Sequence, residues 1–119
     1  KYKEMLKDIT GIKLPIEMEY SKHVYHLFVI QVLAEEGQER TAKRDALQKY
    51  LGEKGIATGL HYPIPLHLQP CFANLGYKKG DFPVTEALAE QGLSLPMFAE
   101  LTDEQVEYIC TEIKNFFAK

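Results

Sequence analysis

At 119 residues the chain is one domain's worth, and a domain of that size hides roughly two-thirds of the surface its unfolded chain exposes. A composition of 45% hydrophobic, 11% aromatic and 26% charged residues excludes the disordered and fibrous classes. Fourteen Lys and Arg against seventeen Asp and Glu leave a net charge of -3, which gives no basic field for nucleic acid or anionic lipid, and the apolar run 27–30 stops at Gln31, far short of the roughly 18 residues of a membrane span.

Tyr2, Met5, Leu6 and Ile9 recur at helical spacing, with Lys1, Lys3, Glu4, Lys7 and Asp8 around them. No N-cap residue and no initiating Met precede this helix, so the sequence reads as a C-terminal piece, with residues 1–10 the end of a helix from an upstream domain and residues 11–119 a domain of their own. Cut from its own helix, the stripe is expected to leave an exposed apolar patch that drives self-association. Gly11 ends the helix, and residues 12–18 alternate as an edge strand that Pro15 keeps at the edge. Residues 23–32, rich in β-branched and aromatic side chains, predict a central strand covered on both faces. A charged turn around Gly37 leads to a helix with Ala42, Ala46, Leu47, Tyr50 and Leu51 on one face.

Residues 56–62 predict a second buried strand that Pro63 and Pro65 terminate. A short helix over 66–75 stopped by Gly76 follows, then a helix capped by Asp81 with Pro83 in its first turn. After Gly92 come a short extended segment, Leu93-Ser94-Leu95, and a capping box from Thr102 to Gln105. The final helix buries Val106, Ile109, Cys110, Ile113, Phe116 and Phe117. This order predicts an α+β fold, a small mostly antiparallel sheet with helices packed on it. Cys71 and Cys110, without CxxC spacing, suit buried thiols in a reducing cytoplasm.

The segment 60–67 concentrates functional side chains. His61, Tyr62 and His67 lie within seven residues, at a strand end, on a backbone stiffened by prolines, and such a loop aims polar groups at a ligand with little ordering entropy. The same residues also suit partly buried packing with the polar tips bonded to backbone, and residue types alone leave both readings open. His23 and His26, three apart on a strand, point to opposite faces and do not chelate one ion, and no zinc signature is present. Ser21 and Ser94 lack a nucleophile elbow. Lys78 and Lys79 form a turn whose cap Asp81 occupies and defends against anions, while Arg40 and Arg44, near a helix start, offer a clamp for a carboxylate or phosphate but read better as solvated surface.

HVYHLFVIQV at 23–32, GIATGLHYPIPLHLQP at 55–70, GDFPVTEALAEQGLSLPMF at 80–98 and LTDEQVEYI at 101–109, taken together and in order, resemble the C-terminal domain of DegT/DnrJ/StrS-type sugar aminotransferases. The resemblance implies the small domain of a fold-type I, pyridoxal-phosphate-dependent, homodimeric cytoplasmic enzyme. It implies transfer of an amino group from glutamate to a nucleotide-linked keto-sugar, in amino-sugar and cell-surface polysaccharide biosynthesis. The Schiff-base lysine is expected upstream, so the chain alone holds no catalytic residue, binds no cofactor by itself and uses no metal. His61, Tyr62 and His67 are the implied substrate-binding residues. The alternative is a stand-alone ligand-binding or protein-interaction module derived from such a domain.

Overall fold

A computed structural model describes residues 1–118. Its helices and strands are α1 (Tyr2–Leu6), β1 (Ile12–Lys13), β2 (Phe28–Val32), α2 (Ala42–Glu53), α3 (Pro83–Gln91), β3 (Gly92–Leu95) and α4 (Asp103–Phe117), with 3-10 turns at Leu66–Leu68 and Pro70–Leu75. The three strands form an antiparallel sheet in the order β1-β2-β3, so the apolar strand is central as its composition predicts. Ile12 pairs with Val32, Phe28 with Leu95, Val29 with Ser94 and Ile30 with Leu93.

Period-two alternation divides the sheet into two unequal faces. Phe28, Ile30, Val32, Leu93 and Leu95 point into a core closed by Tyr2 and Leu6 of α1, Leu47 and Leu51 of α2, and Val106, Ile109, Cys110 and Ile113 of α4. Each such side chain, fully buried, contributes about 1.5–3 kcal/mol. The opposite face carries Val29 and Ser94 and is covered by α3 and the segment from 59 onward. α4 starts at the expected capping box: the Gln105 N–H donates to Thr102 Oγ1 at 3.2 Å and the Thr102 N–H to Gln105 Oε1 at 2.9 Å.

Several expectations need correction. The stripe of α1 is not a bare patch: Tyr2 and Leu6 are buried against α4, and the Tyr2 hydroxyl donates to Pro96 O at 3.0 Å. The central strand starts only at Phe28, because upstream the backbone bonds locally. The Tyr25 N–H donates to His23 Nδ1 at 2.8 Å, and Tyr25 sits at φ 50, a left-handed conformation that no strand continues through. Residues 56–62 form no strand but one antiparallel bridge, Gly59 to Ser94, beyond which Pro63 and Pro65 offer no N–H. The expected helix over 66–75 is two 3-10 turns split at Pro70. In α2 the inward positions are Arg44, Leu47 and Leu51, and Ala42 and Ala46 are exposed. Cys110 is buried as expected, whereas Cys71 is exposed.

Candidate functional site

The candidate loop leaves the sheet edge at Gly59, whose N–H donates to Ser94 O at 3.1 Å and whose carbonyl accepts the Ser94 N–H at 2.8 Å. This anchor folds the imidazole of His61 back over Gly59, where His61 Nδ1 lies 2.9 Å from Ser94 Oγ. A side chain at 59 would collide with the ring, since a Cβ built there falls 2.7 Å from His61 Cε1. The 61–62 peptide is cis. Tyr62 stands edge-on to His61, 74% exposed, and no hydrogen bond to its hydroxyl is present among the described residues. Together they border a hollow of about 410 Å³ whose other walls include Val29, Leu66, Thr85 and Leu88. Its lining, among the described residues, carries no lysine, arginine or carboxylate. Such a wall binds through shape and hydrogen bonds rather than a fixed charge.

His67 turns away from that hollow. Its Nε2 lies 2.9 Å from Glu86 Oε1, with both side chains almost wholly buried, and its ring meets Phe82 edge to face at 4.8 Å. Glu86 also accepts the Gly80 N–H on both oxygens at 2.9 Å and the Phe82 N–H at 3.3 Å. Burial alone would push the Glu86 carboxyl up, but the donors Gly80, His67 and Phe82 outweigh it and hold the group below its ordinary value. The chain thus brings His61 and Tyr62 to one hollow and places His67 in a buried hydrogen-bond network. Glu86, not Asp81, accepts the N–H groups of Gly80 and Phe82 in the turn before α3; the Asp81 carboxylate accepts the Lys78 N–H at 2.9 Å.

Sequence reasoning missed Ser94 and Glu86. A signal existed for Ser94: a lone hydroxyl between two leucines on a strand with both faces covered needs a partner. Glu86 carries only the weak signal of an acid in a first helical turn. Three of the cationic candidates, Arg40, Arg44 and Lys79, are already paired. Arg44 is buried, with Nε 2.5 Å from Asp45 Oδ1 and one terminal nitrogen donating to Ala89 O at 3.3 Å, which corrects its reading as solvated surface. Arg40 and Lys79 both meet Glu90, at 3.4 and 3.1 Å.

Pyridoxal phosphate requires a lysine amine, a partner for its ring nitrogen and anchors for its phosphate. The wall around His61 and Tyr62 supplies neither a lysine nor an acid. The amines of Lys1, Lys43, Lys54 and Lys79 are engaged by Asp103 and Glu107, by Glu35, by Glu112 and by Glu90, respectively. The lining of this hollow therefore does not fit that cofactor.

The model of the DegT/DnrJ/EryC1/StrS aminotransferase family matches residues 1–114. A protein of Geobacillus stearothermophilus named pleiotropic regulatory protein is 44% identical over 118 residues, 98% of this chain and 29% of its own length. The UDP-N-acetyl-3-dehydro-alpha-D-glucosamine 3-aminotransferase of Acidithiobacillus ferrooxidans is 42% identical over 104 residues, 87% of this chain and 25% of its own. The crystal structure of S. venezuelae DesV in complex with a ketimine intermediate matches with a TM-score of 0.88 at 30% identity, covering 99% of this chain and 29% of that one. The chain thus spans less than a third of the length of these relatives.

Proposed function

This chain belongs to the DegT/DnrJ/EryC1/StrS aminotransferase family, and we propose that it forms the acceptor-binding small domain of an aminotransferase acting on nucleotide-linked keto-sugars, catalytically incomplete by itself. The names of relatives support the substrate class: one is a dTDP-3-amino-3,4,6-trideoxy-alpha-D-glucose transaminase, another the UDP-sugar aminotransferase above. In this reading residues 11–119 are the small domain and residues 1–10 end a helix shared with the remainder of a homodimeric protein. Pyridoxal phosphate, held outside this chain, supplies carbanion stabilisation, and glutamate is the amino donor.

The observation that carries the reading is the pair His61 and Tyr62, displayed at the rim of an uncharged hollow on a loop braced by Pro63 and Pro65. Tyr62 offers a hydroxyl and an aromatic edge, and His61 an imidazole that Ser94 already orients, so that ring need not be ordered anew to meet a sugar. Their role is to bind and orient the acceptor and to exclude water from one side of it. His67, the third substrate-binding candidate, serves in this reading through the loop it ends.

The test incubates the 119-residue chain with pyridoxal phosphate, glutamate and a nucleotide-linked keto-sugar, followed by borohydride reduction and peptide mapping. No amino-sugar and no stoichiometrically labelled lysine are expected. Turnover together with one fully labelled lysine would overturn the reading.

A further inference from the structure

We propose that Ser94 and Glu86 are positioning residues, which hold the acceptor-binding loop by a histidine at each of its ends. The proposal rests on the acceptor-binding reading for its ligand, and on geometry alone for the clamps. His61 opens the loop and is held by Ser94 Oγ from β3; His67 closes it and is held by Glu86 from α3. Both clamping side chains are 4% exposed, and among the described residues Ser94 Oγ meets no other hydrogen-bonding side chain. A buried hydroxyl without a partner is costly, so His61 is drawn to Ser94, while His67 is drawn to a buried carboxylate whose position the Gly80 and Phe82 N–H groups already fix. Between the clamps, Pro63 and Pro65 fix two backbone angles. Tyr62 therefore inherits its position from the two rings.

The clamps also decide what the histidines can do. The Ser94 hydroxyl proton has no acceptor among the described residues except His61 Nδ1, 2.9 Å away, and in the proposed clamp the hydroxyl donates there. The ring then keeps its proton on Nε2, which presents His61 as a donor to an acceptor-substrate oxygen rather than as a base. The Glu86 carboxylate only accepts, so His67 Nε2 carries the proton on that side. His61 is thus set as a donor toward the hollow by Ser94, and His67 as a donor to Glu86, neither clamping residue lining the hollow itself.

Two measurements test this. In the intact enzyme, Ser94→Ala and Glu86→Gln should raise KM for the nucleotide-sugar about tenfold, while the glutamate half-reaction stays within about twofold of wild type. In the 15N-labelled chain, His61 should show an accepting Nδ1 and a protonated Nε2, and Ser94→Ala should convert this to a mixture of tautomers. Equal losses in both half-reactions, or an unchanged His61 tautomer in Ser94→Ala, would overturn the proposal. If Glu86→Gln does not fold, Ser94→Ala decides alone. An intact protein inactive on every nucleotide-sugar removes the acceptor reading, while the ring signals still judge the clamps.

Discussion

Gly59→Ala puts a methyl 2.7 Å from His61 Cε1, closer than a real contact allows, and a tight 3.3 Å from Nδ1. Gly59 is not among the positive-φ glycines, so the backbone accepts alanine and the ring must give way. Swinging out, His61 abandons the 2.9 Å contact with Ser94 Oγ and leaves a buried hydroxyl unpaired. That loss costs about 1–3 kcal/mol. Alanine also narrows the unfolded ensemble, which returns about 0.4–1 kcal/mol. The net expectation is a destabilisation of roughly 0.5–2 kcal/mol, a drop of roughly 2–8 °C in Tm for a domain of this size. In a Ser94→Ala background there is no hydroxyl left to orphan, and the same methyl should stabilise by up to the same ensemble gain of about 0.4–1 kcal/mol. Urea unfolding of the wild type, both single variants and the double variant yields the coupling directly. Costs that add to within about 0.3 kcal/mol would refute the ring displacement.

Two further outcomes follow from titration and exposure. Glu86 and Glu112 are held below the ordinary carboxyl value of 4.5, the first by its donors against the opposing effect of burial, the second foremost by the Tyr50 hydroxyl. The unfolded chain binds more protons than the folded one between the depressed values and 4.5, so stability is intact above pH 4.5 and falls as pH drops through that window. Urea midpoints measured across it should slope less steeply in Glu86→Gln, and an unchanged slope would contradict this. A thiol reagent at pH 8 should label exposed Cys71 in the native protein and reach Cys110 only on unfolding, because burial pushes the Cys110 thiol up to about 11. Rapid labelling of both would contradict the packing of α4.

The parts legible from sequence are those in which one local pattern settles one local structure. The i, i+3, i+4 spacing through Ile113 and the Thr102–Gln105 box define α4 without reference to anything distant. Phe28 to Val32 reads as central because its apolarity demands cover on both sides. Where the pattern needs a partner, legibility stops. The stripe at Tyr2 and Leu6 announces a buried face but not that α4 covers it. Residues 23–27 have strand composition, yet the Tyr25 N–H prefers the His23 imidazole to a ladder. The candidate loop was visible in His61, Tyr62 and the prolines around them. Its division was not, because Glu86 lies 19 residues from His67 and Ser94 lies 33 from His61. No spacing rule marks pairs that only the packing of α3 and β3 against the loop creates.

Transamination runs in two halves, and only the second uses the sugar. Stopped-flow measurement of both halves in the intact enzyme carrying Tyr62→Phe or His61→Ala therefore tests the acceptor-binding claim most directly. A hydrogen bond between neutral groups contributes about 0.5–1.5 kcal/mol, so amino transfer to the keto-sugar should fall roughly two- to tenfold in kcat/KM. The glutamate half should remain nearly unchanged. Equal losses in both halves, or none in either, would contradict the placement of the acceptor at His61 and Tyr62.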